Sequence, residues 1–206
     1  PQGGPLSPIL SNIYLDKFDK ELESRGLRSV RYADDSNIFV KSEMSANRVM
    51  KSVTSWLERK LFLKVSATKT KVVRPTKSNF LGFTYVEIGN KWECMPTHKS
   101  KMSLYDKCRK ELIRKKCIAR SNAITFTRIN QIVRGWINYF RIGKMKMFID
   151  TFGQWLRHKI RVIIIKQWKK PDKIERSLQL LNRKLPYKFS EEQIYSVANS
   201  RLGWYR

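Results

Sequence analysis

The segment "RYADDSNIFVKS", Arg31 to Ser42, places two adjacent acidic residues between two runs of strand-forming residues. Aspartate is common in tight turns, so the pattern predicts a β-hairpin with strands at residues 28–32 and 37–41 and a turn at Asp34-Asp35. Adjacent carboxylates repel each other and are costly to remove from water. The pair therefore has two interpretations, a solvated turn or a site for a bound cation.

Helices and further strands are predicted around this hairpin. Ser7-Pro8 is typical of a helix start, Gly26 ends the same helix, and a second helix begins near Ser45. Further strands are predicted at residues 63–65, 71–73, 81–88 and 91–95, the last two joined by a turn at Gly89-Asn90. Helices on one face of an antiparallel sheet define an α+β layer.

Residues 97–206 have helical periodicity throughout. The predicted helices lie at residues 103–120, 127–140, 145–168, 175–181 and 191–199. In the second of these helices one apolar stripe comprises Ile129, Ile132, Val133, Trp136, Ile137 and Phe140. The sequence therefore predicts an α+β fold followed by an all-helical domain, with the boundary in the segment from Pro96 to Lys101.

The charge of the chain is large and unevenly distributed. Of 206 residues, 43 are Lys or Arg and 17 are Asp or Glu, which gives a formal net charge of +26. Residues 1–96 carry a net charge of +6 and residues 97–206 a net charge of +20. Such a charge attracts polyanions, so a nucleic acid is the expected partner. Because no apolar run is long enough to cross a bilayer, no membrane partner is expected.

The cysteines and the first residues bear on the expected location. Cys94, Cys108 and Cys117 lack the spacing of a metal site, and reduced thiols predict an intracellular, cytoplasmic protein. No secretory signal is visible in the sequence. The chain opens on Pro1 rather than Met, so we expect it to begin inside a larger protein.

A hairpin turn can bring carboxylates to one edge of a sheet, where a straight strand would point them to opposite faces. Carboxylate oxygens are hard ligands suited to Mg²⁺. Two divalent ions about 3.5–4 Å apart stabilise the attacking and leaving oxygens in phosphoryl transfer. A strongly basic protein with Asp34 and Asp35 at such an edge has the features that nucleotidyl transfer to a nucleic acid requires.

Several motifs, taken in order along the chain, carry a family resemblance. "YADD", Tyr32 to Asp35, resembles the catalytic hairpin of the reverse transcriptase palm. The motifs that resemble neighbouring parts of the same family are "PQGGPLSPILSNIYLDKFDKEL" (preceding helix), "FLGF" (primer grip), and "INQIVRGWINYF", "IKQWKKP" and "ANSRLGWYR" (maturase-specific domain X). The chain thus resembles a group II intron-encoded reverse transcriptase/maturase over nearly its whole length.

The resemblance implies an architecture, a cofactor and partners. Residues 1–96 would be the carboxyl-terminal part of the palm, and residues 97–206 a helical thumb with domain X. The implied functions are RNA-directed DNA synthesis with Mg²⁺ and binding of intron RNA during splicing. The implied partners are group II intron RNA, a template-primer nucleic acid and a deoxynucleoside triphosphate (dNTP).

The resemblance also implies residue roles near the hairpin. Asp34 matches a catalytic metal ligand, and Asp35 matches a second acid that is a ligand or a local electrostatic support. Gln2 and Gly3 match a motif that helps to form the pocket of the incoming nucleotide. Lys69 matches the region of a lysine that assists the departure of pyrophosphate.

The basic residues of the helical half are the candidate RNA contacts, because basic groups pair with phosphates. They are Arg114, Lys115, Arg128, Arg134, Arg141, Arg157, Lys159, Arg161, Lys166, Lys169 and Lys170. The family also uses a further catalytic Asp and fingers that would precede Pro1, so this chain alone is expected to be an incomplete polymerase. The alternative is a non-catalytic, RNA-binding maturase fragment.

Overall fold

The computed structural model describes residues 6–168, 170–184 and 187–199, without the side chains of Ile118, Ala119 and Lys166. The chain divides into two compact units, Pro1–Glu87 and Ile88–Arg206. Helices and two small antiparallel sheets make up the described chain, which agrees with the predicted mixture of helices and strands. The predicted domain boundary between residues 96 and 97 stays a prediction.

The first unit contains two long helices and a hairpin. Its elements are α1 (Ser7–Ser24), β1 (Arg28–Tyr32), β2 (Asp35–Phe39), α2 (Glu43–Lys60), a 3₁₀ turn (Pro75–Lys77) and most of β3 (Phe83–Ile88). Helix α2 begins two residues earlier than predicted, because the Ser42 hydroxyl caps it by accepting from the Ser45 amide at 3.2 Å.

The core of the first unit lies between α1 and α2. Its buried side chains are Phe18, Leu22, Val53 and Leu61. Aromatic packing joins the two helices, since the ring centroids of Phe18 and Trp56 lie 6.2 Å apart. The apolar stripe of α1 continues toward the amino terminus through Ile9, Ile13 and Tyr14, but these three side chains are exposed in the described chain.

The predicted strands at residues 63–65 and 71–73 are wrong. A strand requires a neighbouring strand to satisfy its backbone, and neither segment has one in the part of the chain that the structure describes. The Leu63 amide instead donates to the carbonyl of Leu57 at the end of α2, at 3.2 Å. Leu63 then packs against the α1–α2 core, so its apolar character reflects helix packing rather than a sheet.

The second unit is mainly helical. Its elements are β4 (Lys91–Pro96), α3 (His98–Glu111), α4 (Arg114–Ala119), α5 (Asn122–Phe140), α6 (Lys146–Trp168), α7 (Pro171–Asn182) and α8 (Glu191–Asn199). The predicted turn at Gly89-Asn90 between β3 and β4 is confirmed, and Gly89 has a φ of 60°, a conformation that favours glycine. No helix among the described residues is long and apolar enough to span a bilayer.

The single helix predicted at residues 103–120 is also wrong, because the chain breaks between α3 and α4. Ile113 adopts an extended conformation with φ −64° and ψ 128°. The corner returns α4 toward the end of α3, so that Lys116 and Arg120 reach the Glu111 carboxylate. These tertiary contacts outweigh the local preference for one continuous helix.

The core of the second unit has the buried members Leu104, Cys108, Ile129 and Phe152, and partly buried aromatic side chains pack against them. The Tyr105 ring lies 5.1 Å from Phe152 and 4.8 Å from Trp155 between ring centroids, in edge-to-face geometry. The three cysteines are free, and burial raises the pKa of the Cys108 thiol to about 11. This thiol therefore stays protonated at neutral pH and acts as a core side chain.

Trp136 belongs to this core, as its position on the predicted stripe of α5 indicated. It packs 5.2 Å from Phe148 between ring centroids, and its indole nitrogen donates to the Ser100 carbonyl at 3.2 Å. Arg134 and Arg141 are exposed. The predicted separation of an apolar stripe from a basic face on α5 is confirmed.

The variant Trp136→Ala is expected to lower the free energy of unfolding by about 3 kcal/mol, the lower end of the range for removal of a large aromatic core side chain. The lower end applies because Trp136 is partly rather than fully buried. Thermal unfolding measures the change. The double variant Arg134→Ala/Arg141→Ala is the control and should melt almost as the unmodified chain does; an unchanged Trp136→Ala melting temperature would show that the indole is not a core group.

Candidate functional site

The acidic pair lies at the tip of the β1–β2 hairpin. Tyr32 pairs with Asp35 in the antiparallel register, so the two-residue turn is Ala33-Asp34 and Asp35 begins β2. The predicted turn at Asp34-Asp35 is therefore wrong by one residue, and the second strand begins at residue 35 rather than 37. Ala33 adopts a positive φ of 53°, as the first central residue of a tight hairpin turn does.

Both carboxylates are exposed at this tip. In the described ranges, the side chains of Asp34 and Asp35 take part in no hydrogen bond and no ion pair. Their oxygens are therefore open to an external ligand. The chain around them, by contrast, is held by several contacts.

The side chain of Arg31 ties the turn to helix α1. Its side chain is 13% exposed, and its Nε donates to the Asp19 carboxylate on α1 at 2.8 Å. Its Nη1 donates to Asn12 Oδ1 at 2.9 Å and to the carbonyl of Ala33 at 2.8 Å. One guanidinium thus joins helix α1 to the turn residue that precedes Asp34. The hydrogen bond to Asp19 raises the pKa of Arg31 despite partial burial.

This brace was not predicted from the sequence. Asn12 and Asp19 are seven residues apart and so share a face of α1, which was the available signal. Both side chains accept hydrogen bonds from Arg31, which lies directly before the "YADD" motif. Asp19 is therefore the ion-pair partner of Arg31.

The "FLGF" segment forms a second tight turn in the same unit. Phe80 and Phe83 exchange two backbone hydrogen bonds of 3.0 and 2.9 Å. Leu81 and Gly82 both have positive φ, 52° and 78°, the pattern of a type I′ turn. Phe39 of β2 contacts Tyr85 of β3 edge to face, with 5.7 Å between centroids, so an aromatic pair links the strands that follow the two motifs.

The donors at the hairpin tip fit part of a magnesium site. Mg²⁺ in phosphoryl-transfer enzymes is held by one or two carboxylates, with waters and substrate phosphates completing an octahedron. The two exposed aspartates supply that number. Among the described residues no group of three or more His, Cys, Asp or Glu side chains could hold a metal.

Of the other predicted nucleotide-site residues, the structure describes Lys69, which makes no hydrogen bond or ion pair with the hairpin tip among the described residues. Lys69 is exposed in a turn, where its backbone amide donates to the Ser66 carbonyl at 3.2 Å. Gln2 and Gly3 lie outside the described residues. Their roles stay predictions.

The predicted RNA-binding residues occupy several elements of the second unit. Arg114 and Lys115 lie on α4, Arg128 and Arg134 on α5, Arg141 at its end, and the members on α6 are Arg157, Lys159 and Arg161. These side chains, and that of Lys170 before α7, are exposed. Lys169 and the side chain of Lys166 lie outside the described part of the chain.

A single carboxylate contacts three cations of the second unit, of which Arg128 is also a predicted RNA-binding residue. Glu111, at the end of α3, lies 2.9 Å from Arg120 and 3.6 Å from each of Lys116 and Arg128, measured between the charged nitrogen and oxygen atoms. Its side chain is 18% exposed. We name these four residues the Glu111 cluster. It joins α3, α4 and α5, and the sequence prediction missed Glu111 and Arg120 because the corner at Ile113 was not expected.

The Glu111 cluster is expected to make the stability of the fold depend on pH. Burial acts to raise the pKa of Glu111, but the Arg120 hydrogen bond and the charges of Lys116, Arg120 and Arg128 outweigh burial, so the pKa is lowered below its ordinary 4.5. A carboxyl whose pKa is depressed by folding stabilises the fold above its unfolded pKa, and this contribution disappears as pH falls through the folded value.

Glu111→Gln should therefore be less stable than the unmodified chain at pH 7, and the difference should shrink as pH falls below 4.5. Denaturant unfolding of both proteins at several pH values measures it. Glu175→Gln, a change of the same kind outside the cluster, is the control. If Glu111→Gln lowers the free energy of unfolding equally at pH 7 and at pH 3, the ionised carboxylate is not the source of the stabilisation.

Comparison with known protein families agrees with this arrangement. The family model described as reverse transcriptase (RNA-dependent DNA polymerase) matches residues 1–85. The family model described as group II intron, maturase-specific domain, matches residues 101–181. A comparison with curated proteins gave no match.

The two matches define the class of the chain, a reverse transcriptase segment followed by a maturase-specific domain. They occur in the order that the sequence motifs predicted. The chain belongs to the group II intron-encoded reverse transcriptases/maturases. Reverse transcriptases of this kind generally use Mg²⁺, and the two domains imply that the chain binds nucleic acids such as intron RNA.

Proposed function

We propose that the chain carries the catalytic hairpin of an RNA-directed DNA polymerase and an intron-RNA-binding surface that assists splicing. The observation that carries the proposal is the pair of exposed, unpaired carboxylates at a turn that Arg31 fixes to α1. The guanidinium of Arg31, bonded both to α1 and to the turn, fixes the backbone that carries these carboxylates. The residues 1–96 then form the carboxyl-terminal part of the palm, and residues 97–206 the thumb with domain X.

In this proposal Asp34 and Asp35 hold Mg²⁺. The bound ion supplies neutralisation of charge on a nucleotide phosphate and activation of the attacking hydroxyl. The chain's own contribution is to hold the backbone of the turn that carries Asp34, because Arg31 donates to the carbonyl of Ala33 directly before it. Gln2 and Gly3 contact the incoming dNTP, and Lys69 assists pyrophosphate departure; both roles rest on the family resemblance.

The RNA-binding part of the proposal rests on charge and exposure. Residues 97–206 carry a net charge of +20, more than a domain of this size needs for solubility. The exposed cations on α4, α5 and α6 bind intron RNA and the template-primer, while Trp136, Phe148 and Trp155 pack against the core. A second candidate function is RNA binding without catalysis. The intact Asp34 and Asp35, whose side chains have no partner among the described residues, favour the catalytic alternative.

We place the protein inside the cell, where its RNA and dNTP are found.

Magnesium titration tests the site at the hairpin tip. We expect the backbone amide signals of Asp34 and Asp35 to shift with Mg²⁺ and to report an affinity in the millimolar range or weaker, because substrate phosphates normally complete such a site. Asp34→Asn should remove the shifts. Tight, saturable binding by the free chain, or shifts at Asp16 and not at Asp34, would contradict the proposal.

A further inference from the structure

A cleft of about 160 Å³ opens in the second unit between α6 and the corner that joins α3 to α4. Lys159, Val162, Ile163 and Gln167 contribute one wall from a single face of α6, since their spacing of three, four and eight residues follows the helical repeat. The opposite wall comes from the corner, through residues that include Leu112.

The lining combines apolar walls with positive charge. Leu112, Val162 and Ile163 are apolar, whereas Arg114 and Lys159 are cations. Both cations are exposed, and neither has an ion-pair partner among the described residues. A ligand that suits this lining has a flat or apolar part joined to an anionic part.

Gln167 adds a polar group that is fixed in place. Its amide oxygen accepts from the Asn122 side chain at 2.9 Å, and its amide nitrogen donates to the Cys117 carbonyl at 3.0 Å. These bonds join α6 to the first turn of α5 and to α4. The amide retains one further N–H and one further lone pair, which suits it to contact the edge of a nucleobase.

The size of the cleft restricts its ligand. Sites for drug-sized ligands have volumes of about 300–1,000 Å³, so a cleft of about 160 Å³ accommodates a smaller group. An unpaired nucleobase is planar and largely apolar on its faces, and its phosphate follows at a distance that flexible cationic side chains can reach.

We infer that this cleft binds one unpaired nucleotide of RNA, with the base between the corner and α6 and its phosphate on Arg114 and Lys159. The inference rests on the proposed RNA-binding function and adds to it a position at which the RNA must be single-stranded. It also assigns Val162, Ile163 and Gln167 to RNA recognition, although none of them is charged.

The test uses the full chain and two RNA hairpins that differ at one position. One hairpin carries a single unpaired uridine, and the other carries an abasic unit at that place, so that their phosphate charge is identical. The unmodified protein should bind the uridine hairpin at least about fivefold more tightly, the smaller effect expected for one stacked base. Equal affinity for the two hairpins would overturn the inference and leave general RNA binding intact.

Two variants locate the effect. Val162→Phe fills the cleft and should reduce the preference for uridine to less than about twofold, whereas Ile124→Phe changes an exposed residue outside the cleft and should retain it. A Val162→Phe protein that folds and keeps the full preference would overturn the inference. Absence of salt-dependent binding to either hairpin would instead count against the proposed function itself.

Crosslinking on the unmodified chain gives an answer that does not depend on the folding of a variant. With 4-thiouridine at the unpaired position, irradiation should attach the RNA to peptides that contain residues 112–117 or 159–167. Attachment to other peptides only would place the unpaired base elsewhere and overturn the inference.

Discussion

Raising monovalent salt from about 50 to 200 mM should weaken RNA binding by roughly 10³–10⁵-fold. This magnitude assumes about 6–10 phosphate contacts, each of which releases a condensed counterion. The net charge of +20 in residues 97–206 and the exposed cations on α4, α5 and α6 provide that number of contacts. Filter binding at a series of salt concentrations gives the slope of log affinity against log salt.

Removal of individual cations refines this result. Arg134→Ala and Arg141→Ala should each reduce the slope by about 1, since each removes one phosphate contact and neither side chain belongs to the core. Ser196→Ala, an exposed and uncharged position, is the control. An affinity that is insensitive to salt would show that the basic face is not the RNA-binding surface.

The α5 helix shows what periodicity predicts well. One apolar stripe and one basic face follow from the spacing of residues alone, and the structure places Ile129 and Phe140 in the core and Arg134 at the surface. Burial drives such a helix to one orientation, so local sequence and tertiary packing favour the same answer.

The hairpin at residues 28–39 shows where the prediction was limited. Strand composition located the hairpin, but the register depends on whether Ala33 or Asp35 occupies the turn. Asp is the commoner turn residue, yet the structure places Ala33 there with a positive φ of 53°. The hydrogen bond from Arg31 to the Ala33 carbonyl is a tertiary contact that a turn propensity does not contain.

The segment 61–73 and the Glu111 cluster illustrate the same limit over longer distances. Leu63 and its neighbours have the composition of a short strand, but the core that receives Leu63 lies between the preceding helix α2 and helix α1, which is distant in the sequence. Glu111 is one acidic residue in a basic helix, and only the corner at Ile113 brings Arg120 to it. Pairwise contacts of this kind depend on the path of the chain, which periodicity does not specify.

Asp34→Asn should abolish DNA synthesis by the full-length protein while RNA affinity stays within about twofold, a change of under 0.5 kcal/mol for a surface position outside the contact surface. The substitution keeps the size of the side chain but removes a carboxylate from a proposed magnesium ligand. Because the Asp34 side chain has no partner among the described residues, its replacement leaves the Arg31 brace intact. The expected loss therefore reports chemistry rather than unfolding.

Asp16→Asn is the matched control, because Asp16 is also an aspartate of the first unit but lies on α1 in an exposed ion pair with Lys20. The measurement is magnesium-dependent extension of a DNA primer on an RNA template by the full-length protein and these two variants. We expect extension by the unmodified protein and by Asp16→Asn, and background signal for Asp34→Asn. Equal extension by Asp34→Asn and Asp16→Asn would contradict the assignment of the hairpin tip as the catalytic metal site.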